Sequence, residues 1–146
     1  MYSQYSYLNF IIFLVIIIEM DYHFILSLFH IFFVVPLFLY IGFFRSAVPN
    51  WFFNSILVLG LLVLAYHGFK LFLRLKNRSN YSWVNLLHVW TVAPLMIYIG
   101  YYKKDTPRFA YELSIMTAFA AGGYHLYSIV NQLDVNENKA ETIKRN

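Results

Sequence analysis

The chain has 146 residues, of which 60% are hydrophobic and 21% aromatic but only 12% charged. Soluble domains average roughly 45–50% apolar and about 25% charged residues, so this composition excludes an ordinary soluble domain and indicates a membrane protein. The formal net charge is +4, and the basic residues lie in predicted loops and helix ends, where they suit lipid headgroups and not nucleic acid. The absence of cysteine excludes disulfides, thiolate metal ligands and cysteine nucleophiles.

The amino-terminal region, residues 1–23, is predicted to be an apolar helix followed by an acidic turn. Its apolar part, residues 5–18, reaches only about 21 Å as a helix, whereas the hydrocarbon core of a bilayer is about 30 Å thick. It is therefore either an interfacial helix or a fifth span. Because no basic residue precedes it and Glu19-Met20-Asp21 is no small-residue cleavage site, we expect it to be retained and not removed as a signal peptide.

Four longer apolar segments follow, and each is close to the roughly 20 residues that a spanning helix needs. The predicted spans are residues 24–44, 51–72, 84–102 and 109–130. Because the first and third connections are short, neighbouring helices are antiparallel. The predicted organisation is a hairpin over 24–73, a basic loop over 74–83, a second hairpin over 84–130 and a polar tail over 131–146.

Lysine and arginine are unevenly divided between the two predicted sides of the membrane. The side that carries the basic loop 74–83 and the tail holds more of them than the opposite side. Basic residues are retained on the cytoplasmic side of membrane proteins, so we expect this loop and the tail to face the cytoplasm.

The two hairpins are related by an internal repeat. Residues 28–72 align without a gap on residues 86–130 at a shift of 58, and rare residue types coincide along with common ones. The matched pairs include His30 with His88, Pro36 with Pro94, Gly42 with Gly100, Pro49 with Pro107, Tyr66 with Tyr124 and His67 with His125. The predicted fold class is therefore an all-α membrane protein, a four-helix transmembrane bundle made from two tandem duplicated hairpins.

The matched prolines and glycines have mechanical interpretations. Pro36 and Pro94 lie near the middle of their spans and predict kinks there. Gly42 and Gly100 are expected to end the first helix of each hairpin. Pro49 and Pro107 are expected to open the second helix, with Thr106 as an N-cap.

The repeat predicts that one histidine from each helix lies at a common depth on one side of the membrane. They are His30, His67, His88 and His125, with Tyr66 and Tyr124 adjacent to two of them. Ionisable residues inside a membrane usually face the bundle interior, and imidazole both ligates metals and titrates near neutral pH. The four rings are therefore a candidate site for haem b or a divalent metal, or a route for protons or ions, with Glu19, Asp21 and His23 nearby as partners.

A structural interpretation competes with this one, because a histidine beside a tyrosine near the headgroups can simply hydrogen-bond across helices. No zinc-binding helix motif, phosphate loop or nucleophile elbow is present. The sequence thus demonstrates no cofactor and favours a non-enzymatic membrane component, with the bilayer, other membrane proteins or a second copy as partners. A histidine-based cofactor-binding or ion-conducting protein is the alternative.

Part of the second hairpin resembles a known group of sequences. The matching motifs are Leu87-His88, Ala93-Pro94-Leu95, Tyr98-Ile99-Gly100 and Gly123-Tyr124-His125-Leu126-Tyr127. With these motifs the chain resembles uncharacterised small multi-span membrane proteins encoded by large double-stranded DNA viruses of algae and protists. The resemblance implies a location in a viral internal membrane or in the membranes of an infected cell, and it implies no mechanism.

Overall fold

The structure, a computed structural model, describes residues 22–77 and 82–145, with side chains as far as residue 134. Within these ranges the chain is almost entirely helical and contains no strand. The predicted helix over residues 5–18 lies outside the described residues, as do Glu19 and Asp21 and part of the basic loop.

Four helices make up the described chain. They are α1 (Tyr22–Ala47), α2 (Asn50–Lys76), α3 (Ser82–Asp105) and α4 (Arg108–Arg145). Each is long and apolar enough to cross a membrane, α4 over its portion Arg108–Asp134. The prediction of an all-helical chain with four apolar spans is therefore confirmed, and each helix is longer than predicted.

The fourth helix continues beyond the predicted span into the polar tail. No glycine or proline follows Gly123, and the tail contains many good helix formers, so nothing in the sequence stops the helix there. The predicted tail is thus the polar end of α4.

Helices α1 and α3 are interrupted in the same way. Each contains a π-helical turn, at His30–Val34 and at His88–Val92, shortly before its proline. Proline lacks the N–H that the carbonyl four residues earlier would accept, and its ring crowds that carbonyl. The π turn bonds over five residues instead, as the Ala93 N–H does to the His88 carbonyl, and so accommodates the proline.

The described chain divides into two compact units. The first contains the start of α1 and the end of α4, and the second is Val35–Ala120. In the second unit α2 packs along α3. The two backbones approach closely at Gly100, where an added Cβ would lie 2.5 Å from the Leu57 nitrogen, and at Gly60, where it would lie 2.9 Å from the Met96 Cβ.

The glycines expected at helix ends have a different role. Gly42 lies inside α1 against Ile115 and the Tyr111 carbonyl of α4, and Gly100 lies inside α3 against Leu57 of α2. No described glycine has positive φ. The expectation that these glycines end their helices is wrong, because each is needed for its lack of a side chain at a helix contact.

The left-handed positions fall instead at the hairpin turns. Each first helix ends in a 3-10 turn, Arg45–Ala47 or Lys103–Asp105, whose first residue has a φ of 51° or 52°. Helix α2 then begins directly after Pro49, and α4 begins directly after Pro107, as predicted. Helix α4 begins at Arg108, so Pro107 and not Thr106 directly precedes it, and the Thr106 hydroxyl donates back to the Ile99 carbonyl at 3.3 Å.

Candidate functional site

The π turns position two of the four candidate histidines. His30 and His88 are the first residues of their π turns. The Nδ1 of His30 lies 2.8 Å from the Leu26 carbonyl oxygen, and the Nδ1 of His88 lies 2.8 Å from that of Val84. A carbonyl only accepts, so Nδ1 carries the proton and donates, and in the neutral ring the lone pair is on Nε2.

In the second unit His67 of α2 stacks on His88 of α3. The ring centroids are 4.0 Å apart and the planes are inclined by 12°. His67 Nδ1 also lies 3.0 Å from the Asn85 Oδ1, on the same helix as His88. Asn85 is buried, so two polar side chains of α3 contact one histidine of α2 inside an apolar helix pair.

In the first unit His125 of α4 stacks on His30 of α1. The ring centroids are 4.1 Å apart and the planes are inclined by 24°. His125 Nδ1 lies 3.2 Å from the Ser27 Oγ, and both side chains are buried. Each histidine pair therefore joins the first helix of one predicted hairpin to the second helix of the other.

The two pairs have corresponding members at the same sequence shift of 58 residues. Ser27 corresponds to Asn85, His30 to His88 and His67 to His125. The carbonyl acceptors, Leu26 and Val84, are also 58 residues apart. The same local arrangement thus occurs once in each unit.

All four predicted histidines belong to a stacked pair. His67 pairs with His88, and His30 pairs with His125. Tyr66 and Tyr124 are about half exposed and meet their neighbouring histidines edge-on, with centroids 5.1 Å apart in both cases. His23 lies in a ring contact with Tyr22 at 6.0 Å. The predicted partners Glu19 and Asp21 lie outside the described residues.

The sequence reasoning missed Ser27 and Asn85. Both are polar residues in apolar helices, and each stands three residues before a candidate histidine. This spacing places them on the same face of the helix as that histidine. Both residues lie just outside the matched segments, which begin one residue later at Leu28 and Leu86.

The ring geometry limits how a pair could bind a metal. Nitrogen lone pairs lie in the plane of the imidazole, so the lone pairs of two stacked, nearly parallel rings lie in separate planes and do not converge on one point. Among the described residues, no group of three or more histidine, aspartate or glutamate side chains is placed to hold a metal ion. Metal or haem ligation by either pair would therefore require at least one ring to rotate.

One difference between the two pairs is the amide group of Asn85. Its Nδ2 is buried and has no hydrogen-bond partner among the described residues. An unsatisfied buried donor costs about 1–3 kcal/mol. Ser27, at the corresponding position of the other pair, carries only a hydroxyl, so the Asn85 site has a hydrogen-bonding group to spare.

A cavity of about 270 Å³ lies between α3 and α4 in the second unit, outside the histidine pairs. Its lining is mainly apolar and aromatic and includes Trp90, Tyr98, Phe109 and Ala110. The residue 58 positions before Ala110 is Phe52, whose ring packs on Tyr40 with centroids 4.9 Å apart. At this position the second hairpin has the small Ala110 beside the cavity, whereas the first hairpin has the ring of Phe52.

Comparison of the chain with protein-family models, with curated proteins and with solved structures finds no match. What defines the class of the protein is its own fold, in which four helices are long and apolar enough to cross a membrane. This architecture is compatible with a multi-pass membrane protein.

Proposed function

We propose that the protein is a multi-pass integral membrane protein with a non-enzymatic, structural or assembly role, and that its four histidines hold the helices together. The observation that carries this proposal is that the described contacts of each pair connect helices. The Nδ1 of each histidine hydrogen-bonds to its own helix or to the partner helix, and each ring stacks across a helix pair.

Physical conditions inside a bilayer support this role. Lipid tails are as apolar as leucine side chains, so helices gain nothing from the hydrophobic effect when they associate in the membrane. Packing at small residues and hydrogen bonds between helices provide the attraction instead. Gly100 against Leu57 and His67 against Asn85 are contacts of these two kinds between α2 and α3.

A double-mutant cycle on His67 and Asn85 tests the proposal. Interhelical hydrogen bonds in membrane proteins contribute about 0.6 kcal/mol on average and up to about 1.7 kcal/mol. We expect His67→Ala and Asn85→Ala to lower the free energy of unfolding in micelles, with a coupling energy in this range. The same cycle on His125 and Ser27 is the independent repeat. Additive effects in both cycles would contradict a structural role for the pairs.

We also propose that the two hairpins arose by tandem duplication. Support comes from the shared shift of 58 residues in the histidine contacts, the π turns and the 3-10 turns. The helix contacts agree, since Gly42 approaches Ile115 while Gly100 approaches Leu57, each 58 residues from its counterpart. A single ancestral hairpin that paired with a second copy of itself would produce these reciprocal contacts.

Proton or ion handling at the histidines is the second candidate function. The observation that favours it is the buried Asn85 Nδ2, since an unsatisfied donor beside two imidazoles can bind a water molecule or an anion. A flux in proteoliposomes that His88→Ala abolishes would support this candidate. Equal flux in wild-type protein, His88→Ala and His125→Ala would count against it.

Haem or metal ligation by His30, His67, His88 and His125 is a proposal of the same class. It predicts a Soret band or a stoichiometric metal content in the purified protein, lost in His67→Ala. Colourless protein without bound metal would remove it. From the resemblance to viral multi-span proteins we further propose a viral or infected-cell membrane as its location, which detection of the protein in purified virions would test.

A further inference from the structure

The two hairpin turns lie side by side at one end of the second unit. The 3-10 turn Arg45–Ala47 contacts the 3-10 turn Lys103–Asp105. Each turn begins with a basic residue in the left-handed region, Arg45 at a φ of 51° and Lys103 at a φ of 52°. This region is sterically unfavourable for any residue with a Cβ and is most often occupied by glycine.

Hydrogen bonds to buried groups fix both turns in this conformation. The Arg45 carbonyl accepts from the Val48 N–H at 3.2 Å, and the Lys103 carbonyl accepts from the Thr106 N–H at 3.2 Å. The Tyr111 hydroxyl also donates to the Lys103 carbonyl at 3.0 Å. Val48 and Thr106 are both buried, so the turns are held on the protein interior while the basic side chains remain partly exposed.

The positive charge is what the two left-handed positions have in common. Arg45 and Lys103 differ in shape and hydrogen-bonding pattern but not in charge, while the residues that follow them differ in charge as well, Ser46 against Lys104 and Ala47 against Asp105. Glycine would relieve the strain at either position. Both positions therefore have a basic side chain in a backbone conformation that favours glycine.

The surroundings of the turns are also predominantly basic. Lys104 is exposed beside Lys103, and the exposed Arg108 follows three residues after Asp105. Arg108 and Glu112 form an ion pair at 2.6 Å and offset each other, which leaves the charges of Arg45, Lys103 and Lys104 uncompensated by Glu112. An anion that approaches the paired turns thus meets an excess of positive charge, with Asp105 as the nearby acid in the turns.

Exposed aromatic side chains surround this end of the helices, as they do at the boundary between lipid tails and headgroups. They are Phe43, Phe44, Trp51, Tyr101, Tyr102 and Phe109. If the helices span a bilayer, as the proposed function requires, the turns lie at the depth of the lipid phosphates.

We propose that the paired turns form a binding site for a phosphate group, that of an anionic lipid headgroup, with Arg45 and Lys103 as its two principal contacts. A guanidinium binds phosphate oxygens through two parallel hydrogen bonds, and an ammonium contributes a compact charge. Because the two turns are in contact, both groups are within reach of one anion that binds between them. The proposal deepens the proposed function and rests on its membrane embedding.

The test uses the full-length protein in nanodiscs of phosphatidylcholine with a minor fraction of phosphatidylglycerol. Native mass spectrometry measures the retained phosphatidylglycerol. We expect the double variant Arg45→Gln/Lys103→Gln to retain it at least about 10-fold more weakly than wild type, because a hydrogen bond to a charged group contributes about one factor of ten or more. The charge-exchanged variant Arg45→Lys/Lys103→Arg should retain it as wild type does.

A charge-matched control separates a site from general electrostatic attraction. Lys70→Gln/Lys76→Gln also removes two positive charges, but from the other end of α2, and should leave retention unchanged. Equal loss in this variant, or wild-type retention in Arg45→Gln/Lys103→Gln with normal helix content, would overturn the proposal.

A parallel experiment identifies the source of the phosphate. Wild-type protein in neutral detergent is heated with and without inorganic phosphate. Stabilisation by inorganic phosphate without phosphatidylglycerol retention would support the phosphate site and assign it to a free anion. If neither ligand distinguishes wild type from the double variant, the site is excluded. Extraction of the protein from membranes by alkaline carbonate would instead refute the membrane embedding, so the two failures are distinguishable.

Discussion

Gly100 is the residue at which the helix packing is least tolerant. An added Cβ would lie 2.5 Å from the nitrogen and 2.7 Å from the Cα of Leu57, and backbone atoms cannot rotate away as a side chain can. We expect Gly100→Ala to lower the free energy of unfolding by about 1–3 kcal/mol, as overpacking does elsewhere, despite the better helix propensity of alanine. Reversible unfolding in mixed micelles would measure the change.

Gly68 provides the matched control for this substitution. It lies inside α2, and an added Cβ would meet no atom within 4 Å. Gly68→Ala should therefore show only the helix-propensity effect, a gain of up to about 1 kcal/mol. Equal effects of the two substitutions would show that α2 and α3 do not approach at Gly100 as described.

Lys103 gives a prediction of the opposite sign. Its φ of 52° and ψ of −122° are strained for any residue with a side chain. Lys103→Gly should raise the free energy of unfolding by about 1 kcal/mol in neutral detergent. No anionic lipid is present there, so removal of the lysine charge costs no lipid binding. Lys104→Gly, in the same turn but without positive φ, should not raise it. Thermal unfolding of both variants makes the comparison.

The residue types at these positions could be recognised from the sequence, but their roles could not. Glycine is used both for positive φ and for close helix contact, and the positions of Gly42 and Gly100 near predicted helix ends favoured the first use. The structure has the second, because each α-helix continues for two residues past its glycine and neither glycine has positive φ. Only the partner across the contact distinguishes the two uses, and a single sequence does not supply it.

At the scale of the helices, the π turns explain why the histidine pairs could not be derived from the sequence. The repeat predicted that the four histidines share one depth, and it did not indicate which of them would pair. A π turn contains one residue more than an α-helical turn. Side chains before it are therefore rotated by roughly 100° relative to an unbroken helix. The prolines predicted a kink in α1 and in α3. They did not predict the extra residue of the π turn, and the regular spacing of a helix could not reveal the rotation that it causes at His30 and His88.

The cavity between α3 and α4 supplies a prediction at the same scale. Ala110 lines the cavity of about 270 Å³ and occupies the position that Phe52 occupies in the first hairpin. Ala110 is itself buried, but the added ring of Ala110→Phe can enter existing space beside Tyr98, so this substitution should cost clearly less stability than an equal enlargement elsewhere on α4. Ala118→Phe, at a buried position of the same helix that does not line this cavity, should cost about 1–3 kcal/mol.

A clearly smaller loss of stability in Ala110→Phe than in Ala118→Phe, measured in micelles of one detergent, would locate the free volume beside Ala110. A loss of similar size in both variants would contradict the correspondence between Ala110 and Phe52.

For the whole molecule, the orientation in the membrane is the property to test. The chain has no cysteine, so a single introduced thiol can be labelled without interference. Lys76 lies at the carboxyl end of α2. Lys104 lies near the other end of α2, because its turn contacts the turn Arg45–Ala47 that precedes this helix. We expect a membrane-impermeant maleimide to label Lys104→Cys in intact cells and Lys76→Cys only after permeabilisation, since the basic loop is predicted to be cytoplasmic. The reverse pattern would contradict the orientation, and labelling of both from one side would contradict the span.

The connection of each histidine pair across the two hairpins has a consequence for biogenesis. When α1 and α2 have left the ribosome, His30 and His67 are both in the membrane without the rings on which they stack. His67 acquires Asn85, 18 residues later, as soon as α3 inserts, whereas Ser27 waits for His125, 98 residues later and on the last span to be synthesised. A nascent chain arrested before α4 would thus hold one completed histidine pair and one exposed histidine, which is a state that a membrane chaperone could recognise and bind.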